Sequence, residues 1–332
     1  MATRSWYIIS LGVAGLAAVA GFAEDEKKVQ STPRVAIEPR ARPNTEVSDR
    51  RTPVLRVDPT LVLIPVTVTT PLNQVVTGME REQFKLFEDK IEQSIEHFSS
   101  EEQPVSLGLV FDISGSMGSK LHKARQAASQ FFRTANPEDE FFLVQFNDRP
   151  ELMIPFTYNT DEIQNRLMFT QPKGRTALLD GVYLAMNHMK KAKNPRRAIL
   201  ILSDGGDNSS RYTPSEIRQT VREADVLIYG IGIFEPSHSR NRTAEEMAGP
   251  SLLSEIAEDT GGRHFPVENL NDLPDIAGKI GVEMRSQYVL GYRPANLNRD
   301  GKYRRVEVKL VQPRGLPPLR TYHRLGYYAP AH

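Results

Sequence analysis

Between Val105 and Met284 the chain alternates short runs that are apolar on both faces with stretches that are apolar at helical spacing. Few folds admit that alternation, because a strand buried on both sides belongs in a parallel sheet covered by helices. Leu107 to Asp112, Ala198 to Leu202 and Val226 to Ile233 read as such strands. Phe141 to Phe146 is another, and Leu152 to Phe156 follows closely enough to form a hairpin with it, while Arg263 to Val267 is a shorter one. Three helical stripes lie between and after them: Leu121, Ala124, Ala128 and Phe131; Leu178, Val182, Ala185 and Met189; and Leu273, Ile276, Ile280 and Met284. Thr213-Pro214-Ser215-Glu216 opens a further helix with a capping box and a first-turn proline, and a short helix is expected near Leu252 to Ala257. The pattern predicts an α/β domain with a doubly wound, mostly parallel sheet of about six strands.

On either side the pattern turns to β. Leu61 to Thr69 is rich in β-branched residues, with Pro65 pointing to an edge strand or a bulge. Phe84, Leu86 and the segment Ile91 to Phe98 suggest two more strands around the turn Glu88-Asp89-Lys90. After the α/β part come Tyr288 to Tyr292, the alternating Val306, Val308 and Leu310, and Tyr322 to Tyr328. Neither flank holds enough strands for a covered sheet of its own. We therefore expect residues 54–102 and 287–332 to combine into a smaller β-sandwich, with the α/β domain, residues 103–286, inserted between them. At the N-terminus, Arg4 precedes an apolar run from Trp6 to Ala20, broken only by Ser10, and the small residues Ala18-Val19-Ala20 stand at cleavage-type spacing. Residues 1–23 read as a signal peptide, with a retained membrane anchor as the alternative. Residues 24–53, punctuated by Pro33, Pro39, Pro43 and Pro53, read as a disordered linker. An exported protein is expected, whether periplasmic, cell-surface or extracellular.

Composition removes several chemistries. The 332 residues carry 42 basic and 41 acidic side chains, so no global field selects nucleic acid. Cysteine is absent, which removes thiolate metal sites and cysteine nucleophiles and leaves oxygen or imidazole as metal ligands. The histidines show no metal-type pairing, and the chain lacks a nucleophile elbow, a phosphate loop and a dinucleotide fingerprint. No enzyme is expected.

What remains is a set of oxygens. In an open parallel sheet, ligands gather at the carboxyl ends of the strands, near the point where strand order reverses. Asp112 ends the first α/β strand, with Ser114 and Ser116 just beyond, and two further loops, at Gly174-Arg175-Thr176 and Ser203-Asp204-Gly205-Gly206, should reach the same rim. Asp112, Ser114, Ser116, Thr176 and Asp204 supply two carboxylates and three hydroxyls, a hard and doubly negative set that suits Mg²⁺ or Mn²⁺ and leaves Ca²⁺ open.

These residues carry a resemblance to a known family. The spacing Asp112-x-Ser114-x-Ser116, followed by Thr176 and Asp204, resembles the metal-ion-dependent adhesion site of the von Willebrand factor type A (VWA) domain. Pro104 to Val110, Asp139-Glu140-Phe141 and Leu178-Leu179-Asp180-Gly181 are similar to the family's surroundings of that site, and the flanking segments resemble those of exported bacterial proteins that carry the domain. The resemblance implies direct metal binding by Ser114, Ser116 and Thr176, with Asp112 and Asp204 binding directly or through water. It also implies that a protein partner fills the open position with an exposed Asp or Glu. Two alternatives stay open: a structural envelope subunit that does not need its metal, and a metal-assisted hydrolase using Asp112 or Asp204 as base. Against the hydrolase, the sequence places no His, Lys or Glu beside the metal. Asp207 and Asn208 are expected in a flexible polar loop, Glu235 to Pro250 in a connection, and Arg211, Arg218 and Arg222 on a solvated helix face.

Overall fold

The computed structural model describes residues 61–234, 244–311, 315 and 317–331. The signal peptide and linker expected over residues 1–53 lie outside the described residues, as do residues 54–60 of the first β segment. In chain order, four strands come first: β1 (Val62–Thr69), β2 (Phe84–Glu88), β3 (Ile91–Gln93) and β4 (His97–Ser99). Alternating elements follow: β5 (Val105–Asp112), α1 (Leu121–Phe132), β6 (Glu140–Phe146), β7 (Pro150–Thr157), α2 (Thr160–Met168), α3 (Leu178–Met189) and β8 (Arg196–Ser203). Then come α4 (Pro214–Glu223), β9 (Leu227–Ile233), α5 (Ala244–Thr260), β10 (His264–Val267) and α6 (Leu273–Arg285). The chain closes with β11 (Tyr288–Tyr292), β12 (Tyr303–Leu310), β13 (Arg320–His323) and β14 (Gly326–Tyr328).

The α/β part holds one six-stranded sheet in the order β10-β9-β8-β5-β6-β7. Every pairing in it is parallel except the β6–β7 hairpin. All eight residues of β5 are buried, and its side chains divide between the two faces as a pleat requires. Leu107, Leu109 and Phe111 pack with α1, α2 and α6 on one face, while Val110 packs with α3, α4 and α5 on the other. Gly108 leaves room for the Phe142 ring, since a β-carbon there would stand 2.2 Å from its Cζ.

The flanking strands form two four-stranded sheets, β13-β1-β11-β4 and β14-β12-β2-β3. Each sheet joins a strand from before the α/β part to one from after it, through β1 with β11 and β2 with β12. Ile64, Val66, Tyr288 and Leu290 from the first sheet share one core with Phe84, Leu86, Val306 and Val308 from the second. Buried charge ties this sandwich to the α/β part. Arg263 Nη1 donates to Glu283 Oε2 at 2.6 Å and Nη2 to Asn73 Oδ1 at 2.6 Å, with the guanidinium stacked on Phe265 and Tyr322. Gln287, just before β11, bridges the two parts: its Nε2 donates to Thr67 Oγ1 at 3.2 Å and to the Tyr229 hydroxyl of β9 at 3.4 Å.

Several local expectations change. Ile91 to Phe98 is two strands, β3 and β4, in opposite sheets, because alternation marks exposure but not which neighbour a strand chooses. Pro65 sits on an inner strand; it is tolerated because β13 pairs only with Val66–Thr69, so Pro65 needs a ladder partner on one side alone. Helix α2 was not expected, its apolar signal being only Ile163 and Leu167. Helix α5 starts at Ala244 and runs through Pro250, so much of the expected connection is helical. Arg218 and Arg222 are not merely solvated: both bond the buried Asp259, at 2.9 and 3.1 Å, and so clamp α4 to α5. Arg211 precedes α4 and pairs with Asp180 at 3.1 Å.

Buried imidazoles give the fold a pH signature. Burial holds His264 down at about 4 and lowers His323, whose Nε2 accepts from Val308 N–H at 3.2 Å. Protons bind the unfolded histidines more readily, so this stability is full above about pH 6.5 and is lost as pH falls toward about 4. Between about pH 6.5 and about pH 4, His264→Gln and His323→Gln should each lose less stability in urea unfolding than the parent chain does.

Candidate metal centre

Strand order reverses at β5, which has β8 on one side and β6 on the other, so a crevice opens at its carboxyl end. Asp112 closes that strand and is fully buried. Its Oδ1 accepts the Ser114 N–H at 2.8 Å in a tight turn, and its Oδ2 accepts the Ser203 hydroxyl at 2.6 Å from the end of β8. Burial, and then the charge of Asp204, push the Asp112 carboxyl up to about 7 in spite of these bonds.

Three loops meet around this carboxylate. In the first, residues 113–120, the Ser114 and Ser116 hydroxyl oxygens stand 3.1 Å apart, with Ser114 buried and Ser116 exposed. The second, residues 170–177, is tied to the first by Gly115 N–H donating to the Gly174 carbonyl at 3.0 Å and Lys173 N–H to the Ile113 carbonyl at 2.9 Å. The third, residues 204–213, is tied to the second through Thr176: its N–H donates to Asn208 Oδ1 at 3.0 Å, and its carbonyl accepts from Asn208 and Ser209 N–H, each at 3.0 Å. The bonds that hold Thr176 thus run through its backbone, and its side chain is buried at the rim.

Asp204 is 5% exposed, and its Oδ1 is buried with no hydrogen-bond partner among the described residues. Its Oδ2 accepts from Lys120 Nζ at 3.0 Å. Lys120 corrects the expectation that no lysine stands beside the site, and its place four residues beyond Ser116, at the entry to α1, is the signal that could have found it. Asp207 and Asn208 also depart from a free polar loop: Asp207 Oδ2 accepts from Leu179 N–H at 2.8 Å and so caps the first turn of α3. Beneath the third loop the backbones of Gly205 and Gly249 touch, a β-carbon on Gly249 standing 2.5 Å from the Gly205 carbonyl carbon. This contact seats α5 under Asp204, and Gly205 itself has φ +80°, where glycine is favoured.

The assembled donors are all oxygen, two of them carboxylates that repel one another in a buried crevice. Such a set is suited to a hard cation approached from the Ser116 side. Residues 107–206 match the family described as von Willebrand factor type A domain. Over that stretch the chain carries a von Willebrand factor type A (VWA) domain. It is similar to an uncharacterized protein of Borreliella burgdorferi, 25% identical over 48% of this chain and 53% of the relative. It is also similar to the inter-alpha-trypsin inhibitor heavy chain H4 of Sus scrofa, 27% identical over 47% of this chain and 19% of the relative. The chain therefore spans about half the length of the first relative and less than a fifth of the second. Among solved structures, a von Willebrand factor type A protein from Catenulispora acidiphila is 13% identical, covering 80% of this chain and 74% of its own at a TM-score of 0.48.

Ser203→Ala removes a buried donor to Asp112 and should cost about 1–3 kcal/mol in urea unfolding. Gly249→Ala, which drives a methyl into the backbone of the third loop, should cost at least as much.

Proposed function

We propose that the three loops hold one divalent cation and that the domain uses it to capture a protein partner. Mg²⁺ is the first choice, with Mn²⁺ and Ca²⁺ as alternates. Ser114, Ser116 and Thr176 would bind it directly, and Asp112 and Asp204 directly or through water. The observation that carries this reading is Asp204 Oδ1, a carboxylate oxygen buried beside Asp112 with no hydrogen-bond partner among the described residues. A buried charge left in that condition is costly, and a cation in contact with both carboxylates removes the cost. The ion, when bound, supplies an electrophilic point with few anionic ligands, so an exposed Asp or Glu of the partner completes its shell. The chain's own residues do the positioning: Ser203 orients Asp112, Asn208 holds the Thr176 loop, and Asp207 fixes the turn from which α3 departs.

VWA domains are interaction modules, and a role in binding fits that class. An extracellular or envelope location fits the apolar N-terminal run. One observation favours a second reading. Lys120 already supplies a positive charge to Asp204, which suits a subunit whose loops are held by the chain itself and whose metal is dispensable.

Calorimetry and capture assays separate the two. The full chain should bind one Mg²⁺, and Asp112→Ala should fold normally, weaken Mg²⁺ binding by at least about tenfold and abolish EDTA-sensitive partner capture. Capture that is indifferent to both EDTA and Asp112→Ala would leave the second reading in its place.

A further inference from the structure

Beside the rim runs a groove that the metal reading leaves unused. It has a volume of about 640 Å³ and begins at Ile113, next to Asp112, and at Lys173, which bonds the Ile113 carbonyl. Gln145 of β6 and Met153 of β7 also line it, and the Gln145 amide is fixed to Thr170 Oγ1 at 2.7 Å. Arg149, Arg166 and Lys173 line it as well, all three exposed, and among the described residues none of them has a carboxylate partner. Two anions share the groove, Asp148 and Glu151, but Asp148 Oδ1 already accepts from Arg175 N–H at 2.9 Å. Three cations, none with a carboxylate partner among the described residues, stand against two carboxylates, so the lining is net positive. Phe169 lies where α2 ends and is 83% exposed, a large apolar ring presented to solvent in a groove of unpaired cations.

We propose that this groove docks an acidic peptide segment of the partner whose carboxylate reaches the metal. Further Asp or Glu side chains of that segment face Arg149, Arg166 and Lys173, and one apolar side chain covers Phe169. The inference rests on the metal reading for the first carboxylate only; the groove contacts stand on their own residues. A peptide fits better than a uniform polyanion, because the groove mixes its cations with Glu151, Met153 and Phe169, which evenly spaced phosphates or sulfates would not use.

The test uses the full chain and two synthetic peptides of equal length, one with Asp and Glu around a leucine, the other with a single Asp among Gly and Ser. Fluorescence anisotropy in Mg²⁺ should show the first binding at least about tenfold more tightly, an advantage that shrinks at about 0.5 M salt. Arg149→Glu with Arg166→Glu, and separately Phe169→Ser, should remove most of that advantage while calorimetric Mg²⁺ binding stays unchanged, which also shows that the variants are folded. An advantage that both variants retain in full would overturn the proposal, as would a heparin fragment binding the groove more tightly than the peptide. Asp112→Ala and EDTA address the metal separately: an advantage that survives both supports the groove and counts against the metal reading alone.

Discussion

Two carboxylates brought together at the reversal point of a parallel sheet set the terms for the rest of this protein. Asp112 is buried by the strand that carries it, and Asp204 by the loop after the neighbouring strand. Burial, and after it the charge of Asp204, raise the proton affinity of Asp112. The surroundings share the load: the Ser203 hydroxyl and Ser114 N–H turn toward Asp112, and Lys120 turns toward Asp204. These contacts leave Asp204 Oδ1 unanswered. A cation at the rim would answer it, which is the basis for proposing a metal there and, through it, a partner's carboxylate.

Holding such an arrangement requires rigidity behind it. Strand β5 has no exposed residue, and its two apolar faces are packed by helices, of which α1, α3 and α4 leave the loops that form the rim. Each pair of rim loops is joined by hydrogen bonds, so none is free to drift from the other two. Even the glycines have a structural task, since the contact of Gly205 with Gly249 allows α5 to sit directly beneath the Asp204 loop. On the opposite side of the α/β part, Arg263 with Asn73 and Gln287 with Tyr229 secure the β-sandwich, which presents two more sheets built from both ends of the described chain.

Much of this was legible in the residues. Strands buried on both faces and helices at 3.6-residue spacing announce a doubly wound sheet, and the end of β5 is the natural place to look for oxygens. The five oxygen-bearing residues could be picked out because each sits beside a strand or helix boundary that the pattern marks. Less visible were features that depend on distant partners. Lys120 looks like any first-turn lysine until the fold brings Asp204, 84 residues on, to its ammonium. Arg218 and Arg222 look solvated until α5 presents Asp259. Pro250 and Gly249 are poor helix formers, yet α5 runs through them, and at Gly249 the Gly205 backbone comes too close for any side chain. In the split of Ile91 to Phe98 between two sheets, β3 stays with its hairpin neighbour β2 while β4 pairs with β11, nearly two hundred residues later.

The most direct measurement is the anomalous difference density of crystals of the full chain soaked in Mn²⁺ and recorded at the manganese edge. The account predicts a single strong peak at the rim, with the hydroxyl oxygens of Ser114, Ser116 and Thr176 within about 2.0–2.4 Å of it, and loss of that peak in Asp204→Ala. Density with no peak there, and Lys120 still bonded to Asp204 in the presence of the ion, would contradict it.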